Sequence, residues 1–187
     1  YPSRRSWLHV TVRDAAGRTV FESGAVRADG SIAGNDGDAD ATRFEPHHRV
    51  IRSADDVQIY EAVMVDWRDR VTTGLSYGVR YVKDNRVPPR GFDKRSVDPD
   101  AGVYGDAAED PDFQGGSDAL LLDVELPGGG GPWRVEATLR YQPIGYRWAR
   151  NLADYESFET ERFVGWYDAM AGGSSTALAR DEVTTGG

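Results

Sequence analysis

Trp133-Arg134-Val135-Glu136-Ala137-Thr138-Leu139-Arg140-Tyr141 decides the fold class. Trp133, Val135, Ala137, Leu139 and Tyr141 fall on one side of an extended chain, with Arg134, Glu136, Thr138 and Arg140 on the other. A period of two over nine residues means an antiparallel strand with one face buried and one in water. Just upstream, Ala119 to Leu126 repeats the pattern, with Leu120, Leu122, Val124 and Leu126 pointing one way. The Gly128-Gly129-Gly130-Gly131-Pro132 segment between the two reads as the turn of a hairpin.

Working back toward the start, Val57 to Val65 is apolar on both faces, as a central strand would be. Val71 to Val82 carries a further strand region in which Tyr77, Val79 and Tyr81 share a face. Trp7 to Arg13 alternates, with Leu8, Val10 and Val12 on one side. The turn Asp14-Ala15-Ala16-Gly17-Arg18 returns it as Thr19 to Ser23, a second hairpin. Two polar stretches, Gly24 to about His48 and Lys83 to Gly116, read as long loops. The second contains the rigid segment Pro88-Pro89-Arg90-Gly91-Phe92-Asp93-Lys94.

Toward the C-terminus the period changes to that of helices. Ile144, Trp148, Leu152 and Tyr155 line one helical face, and Phe163, Trp166, Tyr167 and Met170 line another. Gly172-Gly173 is a stop signal. These readings give a mainly-β fold: an antiparallel β-sandwich of the immunoglobulin-like, Greek-key type with long loops and a C-terminal helical pair. Residues 1–142 form the sandwich, 143–173 the helices packed on it, and 174–187 a flexible tail.

Composition narrows the function. The chain carries 31 acidic and 22 basic residues, a net charge of −9, and no cysteine. A net negative chain lacks the basic footprint of nucleic-acid binding and is repelled by anionic membrane surfaces. No run of apolar residues is long enough for a membrane helix. Absent cysteine removes disulfides, zinc thiolates and covalent c-type haem attachment from these residues. The chain reaches its first strand within a few residues of Tyr1, which reads as a fragment whose export signal lies upstream.

Asp36-Gly37-Asp38-Ala39-Asp40 places three carboxylates at alternate positions, the donor type a hard cation such as calcium prefers. Counting from Asp36, however, the sixth position is Ala41 and the twelfth His47, so the EF-hand pattern fails. A solvated acidic loop is the competing reading, and the same two readings apply to Asp110, Asp112 and Asp118. His9, His47 and His48 lack the spacing of a metal or haem ligand set. Tyr60, Trp67, Tyr77, Tyr81 and Tyr104 are candidates for a sugar-binding aromatic platform. No nucleophile elbow and no phosphate-binding loop is present, so no self-contained active site is expected.

Several stretches together resemble a known family. They are Tyr1 to Asp14, Val20 to Gly24, Gly34 to Asp40, Val57 to Glu61, Tyr81 to Arg86 running to Pro89-Arg90-Gly91-Phe92-Asp93-Lys94, and Tyr141-Gln142-Pro143-Ile144-Gly145-Tyr146-Arg147-Trp148-Ala149. In this order they resemble the C-terminal, haem-free region of bacterial multihaem c-type cytochrome family proteins, over roughly Tyr1 to Met170. The resemblance implies a periplasmic protein with its C-x-x-C-H motifs upstream and haem c carried there. It implies no cofactor in this fragment and no catalytic residue. Its expected partners are the upstream haem domain and a redox partner protein. The function expected is therefore a non-catalytic accessory or docking domain of an electron-transfer protein. The alternative is a ligand-binding module for carbohydrate or calcium.

Overall fold

The computed structural model describes residues 1–128 and 131–185. Strands make up 31% and helices 18% of the chain, and the larger sheets are antiparallel, so the protein is mainly β. The strands are β1 (Arg5–Arg13), β2 (Thr19–Ser23), β3 (Val50–Ile51), β4 (Ile59–Tyr60), β5 (Ala62–Val65), β6 (Val71–Thr72), β7 (Arg80–Asp84), β8 (Leu121–Leu122), β9 (Trp133–Gln142) and β10 (Thr176–Thr185). The helices are α1 (Asp36–Ala39), α2 (Tyr146–Leu152) and α3 (Phe158–Met170).

The main sheet runs β10-β9-β1-β2, with β4 also pairing to β1. The expected N-terminal hairpin is present: Val10 faces Ser23 and Val12 faces Phe21. In the β1–β9 register, Leu8, Val10 and Val12 lie opposite Leu139, Ala137 and Val135, so the apolar sets of the two strands share one face. A second sheet, β6-β5-β7, has β5 at its centre with all four residues buried. That matches the two-sided apolar reading of Val57 to Val65.

Three expectations are corrected. First, Ala119–Leu126 and Trp133–Tyr141 do not form a hairpin. β9 pairs with β1 and β10, while only Leu121 and Leu122 are strand-paired, in parallel with β3. The period of two survives as half-buried Leu120, Leu122, Val124 and Leu126 alternating with exposed neighbours. Alternation thus reported which side chains share a face but not which strand is the partner. Gly129 and Gly130 of the expected turn lie outside the described residues.

Second, the tail expected at 174–187 forms β10 over Thr176–Thr185, on the free edge of β9. The sheet therefore extends beyond residue 142. All ten residues of β10 are exposed, so no hydrophobic period marks the strand.

Third, the sheet face expected to be wet is covered near Arg5 and Trp7. The Gly24–His48 stretch, read as an open loop, folds over that face and carries Ile32. Ile32 joins fully buried Trp7, Val57 and Ile59 in one core cluster. Truncating a core side chain of Trp7's size costs about 3–5 kcal/mol, a large share of a domain's net stability. The Trp7 Nε1–H donates to Gly24 O at 2.9 Å. Gly24 has φ of 78°, and a Cβ there would lie 2.4 Å from Leu8 O, so this crossing requires glycine.

At the C-terminus the expected helical pair is present. Ser157 caps α3 in a reciprocal pair with Thr160, each backbone N–H donating to the other's hydroxyl at 3.3 Å. Ala149 of α2 packs against Tyr167 of α3 and Ala171, with Ile144 and Phe163 beside them. Among the described residues no helix is long and apolar enough to cross a membrane.

Candidate functional site

The fold buries one cluster of chemistry-bearing side chains drawn from four separate segments. His47 comes from the connection before β3, Gln58 and Tyr60 from the β4 region, Asn85 from the end of β7, and Asp110 and Asp118 from the connection to β8. The His47 and Asp110 side chains are fully buried, and that of Asp118 is 4% exposed. His47 Nε2 lies 3.1 Å from Asp110 Oδ2 and 4.0 Å from Asp118 Oδ2. Phe113 closes the site, its ring edge-on to His47 at 5.2 Å and stacked on Tyr60 at 6.5 Å.

The protonation of His47 follows from its neighbours. Gln58 Nε2 and Asn85 Nδ2 lie 2.8 and 3.0 Å from His47 Nδ1. Both amides are oriented by the backbone: Gln58 Oε1 accepts from His48 N, Asn85 Oδ1 accepts from Glu61 N, and Asn85 Nδ2 also donates to Ile59 O. Two N–H donors therefore face Nδ1, which must accept. The ring proton sits on Nε2 and is donated to Asp110. Burial holds the His47 pKa below its ordinary value, against the pull of Asp118 and Asp110.

Asp118 is less well provided for. Its Oδ2 accepts from the Tyr60 hydroxyl at 2.8 Å and from Gln58 Nε2 at 3.3 Å, while Oδ1 is buried with no partner among the described residues. Burial pushes this carboxyl up, since the charged form loses its water. Burial and the adjacent Asp118 charge push the Tyr60 hydroxyl up as well. Asp110 is better satisfied: its Oδ1 faces Arg49 Nε at 3.2 Å and accepts from Asp112 N at 2.9 Å. Lys94 ties the same loop by donating to Ala107 O at 2.8 Å and to Asp110 O.

His47, Asp110 and Asp118 each place one ligand-type atom within 4.8 Å of the others. The hydrogen bonding nevertheless opposes a metal on His47. A ligating histidine donates its second ring N–H to an outer partner. Here Nδ1 faces two donors, so a metal at Nε2 would require the imidazolate. The arrangement suits a proton shared along Nε2–H···Asp110, which ties four chain segments together.

The calcium candidates Asp36, Asp38 and Asp40 lie elsewhere and do not converge. Asp38, in the single turn of α1, receives Arg5 Nη1 and Nη2 at 2.7 and 2.9 Å and Ile32 N at 2.8 Å, in a pair whose side chains are 4% and 1% exposed. Asp36 pairs with Arg43 at 2.5 Å, and Asp40 accepts from the Thr42 amide and hydroxyl. Each carboxylate has its own protein donors. Arg147 of α2 completes the corner by donating to Gly37 O. A Cβ on Gly37 would stand 2.3 Å from the Arg147 guanidinium.

Of the aromatic candidates, Tyr60 is in the core and Tyr81 packs on Tyr104 at 6.0 Å, while Trp67 and Tyr77 are exposed. Part of the exposed apolar surface lies at the helices. A groove of about 620 Å³ runs between α2 and the β6–β7 turn, walled by Leu75, Ile144, Trp148, Leu152 and Tyr155. Beyond it, Phe158, Trp166 and Met170 of α3 are 68%, 60% and 73% exposed.

The sequence groups Asp110 with Asp118, but no signal joins either to His47, because His47 and Asp110 lie 63 residues apart. Gln58 and Asn85 went unmarked. A scan against protein-family models and searches of curated proteins and of solved structures found no match.

Proposed function

We propose that this chain is a non-catalytic accessory and docking domain, of the kind its resemblance implies for a periplasmic multihaem c-type cytochrome. In this reading the haems and the electron transfer lie upstream of Tyr1. In this reading the scaffold is a β-sandwich of the immunoglobulin-like, Greek-key type.

The exposed apolar face of α3 carries the proposal. Phe158, Trp166 and Met170 are each more than half exposed beside an apolar groove. Clustered large apolar side chains on a surface mark a place where another protein surface packs. Arg162 lies over both the Phe158 and Trp166 rings, at 5.0 and 4.9 Å. An aromatic–arginine surface of this kind is enriched at the centre of protein interfaces. The buried His47 cluster, by contrast, makes its contacts inside the domain and serves the scaffold.

The test is to read the same open reading frame upstream of Tyr1 and to purify its product. Several C-x-x-C-H motifs behind an export signal, with α3 protected from hydrogen exchange in the full-length protein, are the expected result. A frame without such motifs would overturn the cytochrome assignment. An α3 face exchanging equally in the full-length protein and in this chain alone would overturn its use in packing on the upstream domain.

A further inference from the structure

We infer that the groove between α2 and the β6–β7 turn binds a basic amphipathic segment of a partner protein. The partner's aliphatic side chains sit on Leu75, Ile144, Trp148 and Leu152, and its cationic side chains face the acids of the α2–α3 connection and the first turns of α3.

Shape and charge each support the assignment. The groove, at about 620 Å³, falls within the range of natural binding pockets. Its walls are aliphatic and aromatic, and Leu75 is 64% exposed although it sits at a chain reversal where a polar residue would be expected. Glu156 lines the groove, and the segment that carries it, residues 154–161, reads Asp-Tyr-Glu-Ser-Phe-Glu-Thr-Glu, four acids without a base. All four are exposed. Among the described residues none of Asp154, Glu156, Glu159 and Glu161 has a salt-bridge partner, whereas the remaining acid of α3, Asp168, pairs with Arg150. The nearest cation on α3, Arg162, lies over the Phe158 and Trp166 rings.

An apolar floor beside an unpaired acidic rim is complementary to a helix with one aliphatic and one basic face, the helix-in-groove mode of recognition. Charge also separates this occupant from the others. A second copy of this chain brings the same net −9, and an anionic lipid surface is repelled by the same rim.

The proposal rests on the docking reading of the helical face but not on haem. A frame without C-x-x-C-H motifs leaves it standing, and its own failure leaves the cytochrome assignment standing.

The probe is a synthetic amphipathic Leu/Lys helical peptide, titrated by fluorescence anisotropy at physiological salt, with a Leu/Glu peptide as control. A Kd in the micromolar range is expected for Leu/Lys, about 1–100 μM, with no binding of Leu/Glu. The double substitution Glu156→Lys with Glu159→Lys should weaken binding about tenfold or more. Leu75→Asp adds negative charge to the groove, so a loss of about tenfold there would report apolar contact and not charge. All three positions are exposed, and unchanged melting temperatures will confirm that the variants fold. No binding, equal binding of Leu/Glu, or indifference to Leu75→Asp would each overturn the inference. So would concentration-dependent dimerisation abolished by Leu75→Asp, which would assign the groove to a second copy.

Discussion

The polar interior around His47 and the outer face of α2 and α3 are opposites. The interior is built from residue types that suggest chemistry, histidine with two aspartates, yet nearly every polar atom there is held by another group of the same chain. Backbone-anchored amides even dictate which nitrogen of His47 carries the proton. The helical face is built from ordinary Leu, Ile, Trp, Phe and Met, yet Phe158, Trp166 and Met170 are each more than half exposed. A buried group that has found its partners makes a fold, and an exposed apolar group that has not marks a place for a partner. Suggestive residue types and unmet contacts therefore point to different regions of this molecule.

Mutations sharpen the contrast by their unequal effects on the isolated chain. The largest is expected from Asp38→Ala, which leaves the buried Arg5 guanidinium without its carboxylate. Uncompensated buried charge of this kind costs about 3–5 kcal/mol, read as a lower urea midpoint. Asn85→Ala removes a donor to Ile59 O, an acceptor for Glu61 N and one of the two amides on His47. It should cost about 2–3 kcal/mol. Gly37→Ala drives a methyl against Arg147, an overpacking penalty of about 1–3 kcal/mol.

The pH profile separates the two titrating members of the cluster. His47 has a lowered folded pKa, so its contribution is fully present above the unfolded value of 6.5 and is lost as pH falls toward the folded pKa. Asp118 has a raised folded pKa, so protonating it on the way down adds stability, fully present only below its unfolded value of 3.8. The two effects oppose one another. Asp118→Asn should therefore show a steeper loss of melting temperature between pH 7.5 and 5 than the parent protein. An identical profile would mean that Asp118 is charged throughout that range.

The smallest effect is expected on the helical face. Trp166→Ser with Met170→Ser should change the stability of the isolated chain by no more than about 0.5 kcal/mol per site. A loss comparable to Asp38→Ala would show that α3 packs inward and would erase the contrast between the two regions.

Where local pattern is the signal, the sequence was legible. The β1–β2 hairpin, the buried central β5, the alternation along β9 and the two C-terminal helices each announce themselves within about ten residues, because side-chain direction repeats with period 2 or 3.6. The rest failed for identifiable reasons. Asp36, Asp38 and Asp40 share a spacing that suggests one cation, but a turn of helix sends them to Arg43, Arg5 and Thr42 respectively. β10 carries no period because both of its faces are exposed. The polar stretch after Gly24 reads as a long loop because its one fully buried large apolar side chain, Ile32, stands among glycines and aspartates.

The sequence by itself determined a mainly-β chain with a helical end, an acidic surface and no cysteine chemistry. Tertiary structure decided that β9 lies between β1 and β10, that the segment after Gly24 closes over Trp7, and that His47, Gln58, Asn85, Asp110 and Asp118 meet. Backbone torsions and side-chain periodicity are set by neighbours along the chain, so they can be read from a short window. Strand partners and buried polar clusters are set by which distant segments satisfy one another's hydrogen bonds once water is excluded, and that competition is resolved only in three dimensions.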